Sequence, residues 1–170
     1  DRLVEYARKY IGTPYRRGSK GPNRFDCSGF TQYIFNHFSY SLNASSASQY
    51  LQGISVKDEE ICRGDLVFFK GRNSRRSNVG HVGLVTEVYP DGRFKFIHAS
   101  TSQGIREDWN FSPYYAQRYV GARRIYFVQI DKRLILDAIL ELEDIDDNTP
   151  FTEMEKSITP QEFSTFVRAE

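Results

Sequence analysis

The chain has 170 residues, 39% of them hydrophobic and 15% aromatic, with 23 Lys and Arg against 22 Asp and Glu. That length suits one domain, or one domain with an appendage, and the 13 Phe and 11 Tyr exclude wholesale disorder. No apolar stretch approaches the ~18 residues that cross a bilayer, and the opening DRLVEYARKY is too charged for the apolar region of a signal peptide. Opening on Asp1 rather than Met points to a processed product. Residues 1–130 carry 19 Lys and Arg against 11 Asp and Glu, whereas residues 131–170 carry 4 against 11, so the body is basic and the tail acidic. Apart from Arg72, Arg75, Arg76 and the pair Arg123 and Arg124, the positive residues are scattered. They read as a solvated surface that attracts an anionic polymer non-specifically, not as a nucleic-acid site.

In chain order, Leu3, Val4, Ala7, Tyr10 and Ile11 recur at helical spacing, and Gly12, Thr13 and Pro14 end that helix. A polar loop leads to FDCSGFTQYIFNHF, where Phe30, Tyr33, Ile34, Phe35 and Phe38 recur every three to four residues, so Cys27 opens a buried helix. Residues 44–53 predict a second short helix with Ser45 or Ser46 as N-cap and Gly53 as its stop. From residue 62 the period shortens: GDLVFFK, HVGLVTEVY, RFKFIHAS and VGARRIYFVQI predict strands. Pro90, Asp91 and Gly92 make the second and third of these antiparallel neighbours. The layout is α+β, N-terminal helices packed on an antiparallel sheet. Residues 131–143 again have helical spacing, a domain boundary falls near residue 130, and the remainder is acidic and broken by Pro150 and Pro160.

Two cysteines and three histidines make the candidates for nucleophilic catalysis a short list. At a helix N-terminus, the unpaired amides and the helix dipole favour a thiolate, so Cys27 is expected to have a lowered pKa. Asp26 is placed to cap that helix or to hold a substrate amine, and Ser28 and Gly29 leave the sulfur uncrowded. Cys62, before a strand, reads as a half-buried thiol, and its context gives no reason to pair it with Cys27. His81 opens one strand of the predicted hairpin and His98 closes the other. Counted from the turn, their positions differ by about three residues, which a bulge or an extended loop can absorb. Two imidazoles at one sheet end suit a base and its orienter, or, with Cys27, a metal; no short-spaced ligand motif supports the metal. His37, late in the helix, is left without a role.

Taken together, GTPYRRG at 12–18, FDCSGF at 25–30, SSASQY at 45–50, GDLVFF at 64–69, GHVGLV at 80–85 and FIHAS at 96–100 resemble the NlpC-type cell-wall peptidases, cysteine peptidases of minimal papain-like fold. The resemblance covers residues 1 to about 127. It implies Cys27 as nucleophile, His81 as general base and His98 as the orienting third residue. It places Tyr15 at the site's rim, where its hydroxyl helps the Cys27 N–H hold an oxyanion; read from the residues alone, Tyr15 is equally a packed aromatic. It also implies substrate-binding roles for Asp26, Ser28 and Ser46, Asp26 and Ser46 suiting a charged amino terminus. The implied reaction is hydrolysis of peptidoglycan stem peptides at the D-γ-glutamyl–diamino acid bond, through an acyl-enzyme, with no cofactor and no metal. Peptidoglycan or its muropeptide fragments would be the partner, in the cell envelope or outside the cell, with cytoplasmic fragment recycling as the alternative. An amidase or acyltransferase with the same thioester chemistry, or an inactive wall-binding module, are the rival readings. Arg63, Asn43 and Ala44 depart from the family pattern and bear on the shape of the groove. Residues 131–170 lie outside the resemblance; their acidity suits docking on the basic body or on another protein.

Overall fold

The computed structural model describes residues 2–126. The helix expected at 131–143, the acidic remainder, its docking and the boundary near residue 130 lie outside the described residues.

Helix α1 spans Arg2–Arg8 and buries Val4 and Ala7. It is shorter than its apolar spacing predicts, because Lys9, Tyr10 and Ile11 donate to carbonyls three residues back, the tighter pattern in which helices end. Helix α2, Cys27–His37, is capped by Asp26, whose Oδ1 accepts the Gly29 N–H at 2.6 Å, and it buries Phe30, Ile34 and Phe35. Helix α3, Ser46–Gln49, is a single turn closed by a capping box between Ser45 and Ser48. Strand β1 follows at Ile54–Val56, β2 at Leu66–Lys70, β3 at Val79–Val88, β4 at Phe94–Ser100 and β5 at Gly104–Trp109. The short helix α4, Pro113–Ala116, then leads into β6, Tyr119–Arg124.

The six strands form one antiparallel sheet in the order β1-β6-β2-β3-β4-β5. Alternation along β2 divides the core. Leu66 and Phe68 join Val82, Leu84 and Ile97 beneath α1 and α2, while Val67 and Phe69 join Val85, Phe96 and Ala122 on the opposite face. That second layer is covered by Val56, Ile61, Tyr115 and Tyr119. Phe25, Phe30, Phe68, Phe69 and Phe96 are all fully buried, and each contributes about 1.5–3 kcal/mol of apolar burial.

The expected hairpin forms at residues 90–92, with Gly92 at φ +84 and its N–H donating to the Tyr89 carbonyl. Besides a 3-10 turn at Asp58–Glu60, β1, β5 and α4 go beyond the sequence expectation. Strand β1 has three residues and α4 has four. Strand β5, GIREDW, is a polar edge strand whose exposure pattern gives no clean alternation.

At the β1–β2 connection, the buried Asp65 carboxylate receives Arg124 Nε at 2.8 Å on Oδ1 and Nη2 at 2.9 Å on Oδ2. It also accepts the Cys62 N–H at 2.8 Å. Cys62 itself is exposed rather than half-buried, and both cysteines are free. Asp65 explains this: it fixes the backbone of residue 62 and leaves the side chain outside. Departures from the family pattern have structural partners. Arg63 pairs with Glu5, and the Asn43 side chain donates to the Ser48 carbonyl.

Candidate active site

The first turn of α2 and the open end of the sheet bring the candidate residues together. Paired residues of the β3–β4 ladder run from Val88↔Phe94 to Leu84↔Ile97, with a bulge between Val85 and Glu87. That bulge takes up part of the offset counted from the turn. The rest is accommodated diagonally: His81 lies two residues beyond the position facing His98, on the same face of the sheet. His81 Nε2 and His98 Nδ1 share a hydrogen bond of 2.9 Å, with the rings edge-on at 87°. Gly83 makes room for this approach. A Cβ there would lie 2.6 Å from the Phe96 ring and 3.3 Å from His98 Cβ, so any side chain would press β4 away.

Beyond Leu84, β3 has no paired residue on the β4 side, and Cys27 meets the strand there. Its thiol donates to the Gly80 carbonyl at 4.0 Å, and the Val82 N–H is a second neighbour of the sulfur. Cys27 is thus set against the two residues that flank His81. Gly29 permits the tight first turn of α2, since a Cβ at this position would lie 2.3 Å from the Ser19 carbonyl.

The pKa directions differ from the sequence expectation for the nucleophile. Burial, and after it the Asp26 carboxylate, push the Cys27 thiol up, against the lowering effect of the N–H groups of Ser28, Val82 and Cys27 itself. Half-burial of the sulfur outweighs the helix N-terminus. Burial and then His98 pull His81 down to about 3. Burial also lowers His98, which is fully buried, while its Asp108 partner acts in the opposite sense. At neutral pH the thiol and both imidazoles are therefore uncharged at rest.

This has a consequence for stability. In the unfolded chain a histidine takes up a proton as pH falls through about 6.5, whereas the folded rings stay neutral, His81 down to about 3. The unfolded state binds more protons in that window, so stability falls with pH, by at most about 1.4 kcal/mol per pH unit for each ring. The urea midpoint of the wild type should decline more steeply between pH 6.5 and 4.5 than that of His81→Gln. Parallel declines would show that His81 is not held neutral.

The remaining candidates fall around the same two helices. Tyr15 is half-buried; burial raises its hydroxyl pKa, followed by Cys27 and Asp26. That hydroxyl has no hydrogen-bond partner among the described residues. Asp26 accepts the Gly29 N–H on Oδ1, which caps α2, and the Gly18 N–H of the preceding loop at 3.0 Å on Oδ2, so each oxygen holds one backbone N–H. Ser28 and Ser46 are 7% and 8% exposed. Their hydroxyls have no partner among the described residues. His37 stacks on Tyr6 at 3.9 Å, away from the imidazole pair.

Two polar residues of the site were not anticipated. Gln49, fully buried in α3, donates to the Ser28 carbonyl at 3.1 Å and accepts from Thr31 Oγ1 at 2.8 Å, tying α3 to the first turn of α2. Asp108 on β5 receives His98 Nε2 at 2.8 Å on Oδ2 and Arg106 Nη2 at 2.7 Å on Oδ1. The S-S-A-S-Q spacing of α3 could have flagged Gln49. Nothing in GIREDW distinguishes Asp108 from a solvated edge charge. Among the described residues no three His, Cys, Asp or Glu side chains converge as metal ligands, and no helix is long and apolar enough to cross a membrane.

Helices packed on an antiparallel sheet, with a cysteine at a helix start set against the strand that bears His81, constitute an α+β papain-like fold. The chain belongs to the NlpC/P60 family, whose model matches residues 12–124. It is 36% identical over 124 residues to the "Probable endopeptidase" of Haemophilus influenzae, spanning 72% of this chain and 73% of that protein. It is 33% identical over 132 residues to the "Gamma-DL-glutamyl hydrolase" of Bacillus subtilis, spanning 76% and 30%. The crystal structure of the NlpC/p60 domain of the peptidoglycan hydrolase SagA superposes with a TM-score of 0.59 at 26% identity, covering 72% of this chain and 96% of that one. Several of the curated relatives are much longer, the chain spanning 15% to 30% of their length.

Proposed function

We propose that the chain is a cysteine endopeptidase that hydrolyses peptidoglycan stem peptides at the D-γ-glutamyl–diamino acid bond. The observation that carries this reading is the His81–His98 pair at 2.9 Å, with the Cys27 sulfur set against β3, the strand that bears His81. Family membership and the relatives' names, an endopeptidase, a gamma-glutamyl hydrolase and a peptidoglycan hydrolase, support the substrate class. So does charge. Arg16, Arg17 and Arg24 in the loop before α2, and Arg72, Arg75 and Arg76 in the loop before β3, form no ion pair among the described residues, which suits an anionic wall polymer in the cell envelope.

The mechanism follows from the neutral resting state. His81 takes the thiol proton as Cys27 Sγ attacks the γ-carbonyl carbon, and the charge moves to the carbonyl oxygen. The Cys27 N–H and the Tyr15 hydroxyl hold that oxyanion. Collapse breaks the C–N bond, and the leaving amine receives the proton from His81. Water then gives a proton to His81 and attacks the thioester; the carboxylate leaves and the thiol is restored. His98 keeps the His81 ring in place. Asp26, Ser28 and Ser46 surround the position a substrate amino terminus would take, where a carboxylate and hydroxyls receive an ammonium group.

The test is to incubate the full chain with defined muropeptides and stem peptides and to identify the new ends by mass spectrometry. A new γ-glutamyl carboxyl end and a free amine on the diamino acid are expected. If every γ-glutamyl bond stays intact while a thiol reagent still labels Cys27, the substrate assignment is wrong.

A further inference from the structure

The site contains one more group than the thiol and two imidazoles, and that group has a defined hydrogen-bonding sense. A carboxylate only accepts hydrogen bonds. With Asp108 Oδ2 at 2.8 Å, His98 must carry its proton on Nε2, which leaves His98 Nδ1 as an acceptor. The Tyr115 hydroxyl also approaches His98 Nε2, but at 3.3 Å, and the shorter, charge-assisted contact sets the direction. His98 Nδ1 can then bond His81 at 2.9 Å only if His81 Nε2 is the donor. A neutral imidazole protonated on Nε2 has a bare Nδ1, and in His81 that nitrogen has no partner among the described residues.

We propose that Asp108, oriented by Arg106, is the positioning residue that sets the proton order of the whole site. It fixes His98 and, through His98, fixes His81 in the one tautomer whose free nitrogen can take the Cys27 proton. Asp108 touches no reacting atom and acts through two rings. The inference rests on the reading of His81 as base given above.

Arg106 makes the proposal separable from mere support of the fold. In Asp108→Asn one oxygen becomes an NH2 group. Arg106 Nη2 donates at 2.7 Å to the Oδ1 position and so requires the amide oxygen there, which turns the NH2 toward His98 Nε2. His98 must then accept on Nε2 and donate from Nδ1, and His81 must accept on Nε2 and carry its proton on Nδ1. The base is blocked without any change of shape. Removing the guanidinium lets the amide rotate and restores the original order.

Asp108→Asn should therefore lower kcat on the order of 10³- to 10⁴-fold, with KM and melting temperature near wild type. The double variant Asp108→Asn with Arg106→Leu should regain at least about tenfold of that loss. A double variant equal to or worse than Asp108→Asn overturns the proposal, because loss of structural support would add rather than cancel. Nitrogen-15 NMR of the wild-type imidazoles should show His81 protonated on Nε2 and bare on Nδ1; the opposite tautomer also overturns it. The NMR measurement decides the matter even if Asp108→Asn does not fold, and it needs no substrate. A protein that shows the expected tautomers yet cleaves no γ-glutamyl bond would refute the proposed function and leave this inference standing.

Discussion

Cys27→Ala is expected to lower kcat for γ-glutamyl cleavage by on the order of 10⁴-fold or more, since loss of a covalent nucleophile removes the acyl-enzyme route entirely. What survives is binding and oxyanion stabilisation by Tyr15 and the backbone. The fold should not change. The Asp26 cap on Gly29 does not involve the residue 27 side chain, and the thiol's own donation is the weak 4.0 Å contact with the Gly80 carbonyl. A melting temperature within about 2 °C of wild type, no more than the shift of a change of about 1 kcal/mol, would assign the loss to chemistry. Turnover of Cys27→Ala within tenfold of wild type would show that hydrolysis does not pass through this thiol.

The largest effect on stability is expected away from the site. Arg124→Leu strips the buried Asp65 carboxylate, 1% exposed, of both of its charged hydrogen bonds. Breaking a buried pair from one side typically costs about 3–5 kcal/mol, because a charge is left uncompensated. That is a large share of the 5–15 kcal/mol by which domains are usually stable. Urea unfolding at pH 7 measures it directly. Replacing both partners, Asp65→Leu with Arg124→Leu, should recover most of the loss, since no charge then remains to be desolvated. Equal destabilisation in the single and double variants would mean that the pair acts through packing rather than through charge.

How far the sequence reached can be traced residue by residue. Cys27 could be placed at the start of α2 because Phe30, Ile34 and Phe35 set the helical period immediately after it. The meeting of His81 and His98 could be anticipated from a hairpin turn and period-two alternation. Its register could not, because a bulge near Thr86 leaves no mark in composition. The direction of the Cys27 pKa was misjudged for a related reason: the helix N-terminus is written in the sequence, whereas burial against Gly80 and Val82 arises only when two distant segments meet. Asp108 escaped notice because a carboxylate on a short polar edge strand resembles any solvated charge until the strand is laid beside His98. Local periodicity thus reports which face a residue occupies, and long-range pairing decides what it touches.

The strand order divides the sheet into halves of different character. β3, β4 and β5 are successive hairpin partners, so the half carrying both imidazoles and Asp108 is built from neighbours in the chain. The other half is not: β6 slots between β1 and β2, joining Ile54 to Arg124 from distant parts of the polypeptide. A ribosome that has not yet delivered Tyr119–Arg124 holds a chain with two naked strand borders and an Asp65 still waiting for its guanidinium. Termination after Trp109 but before Tyr119 would deliver both imidazoles and Asp108 without the keystone that joins β1 to β2.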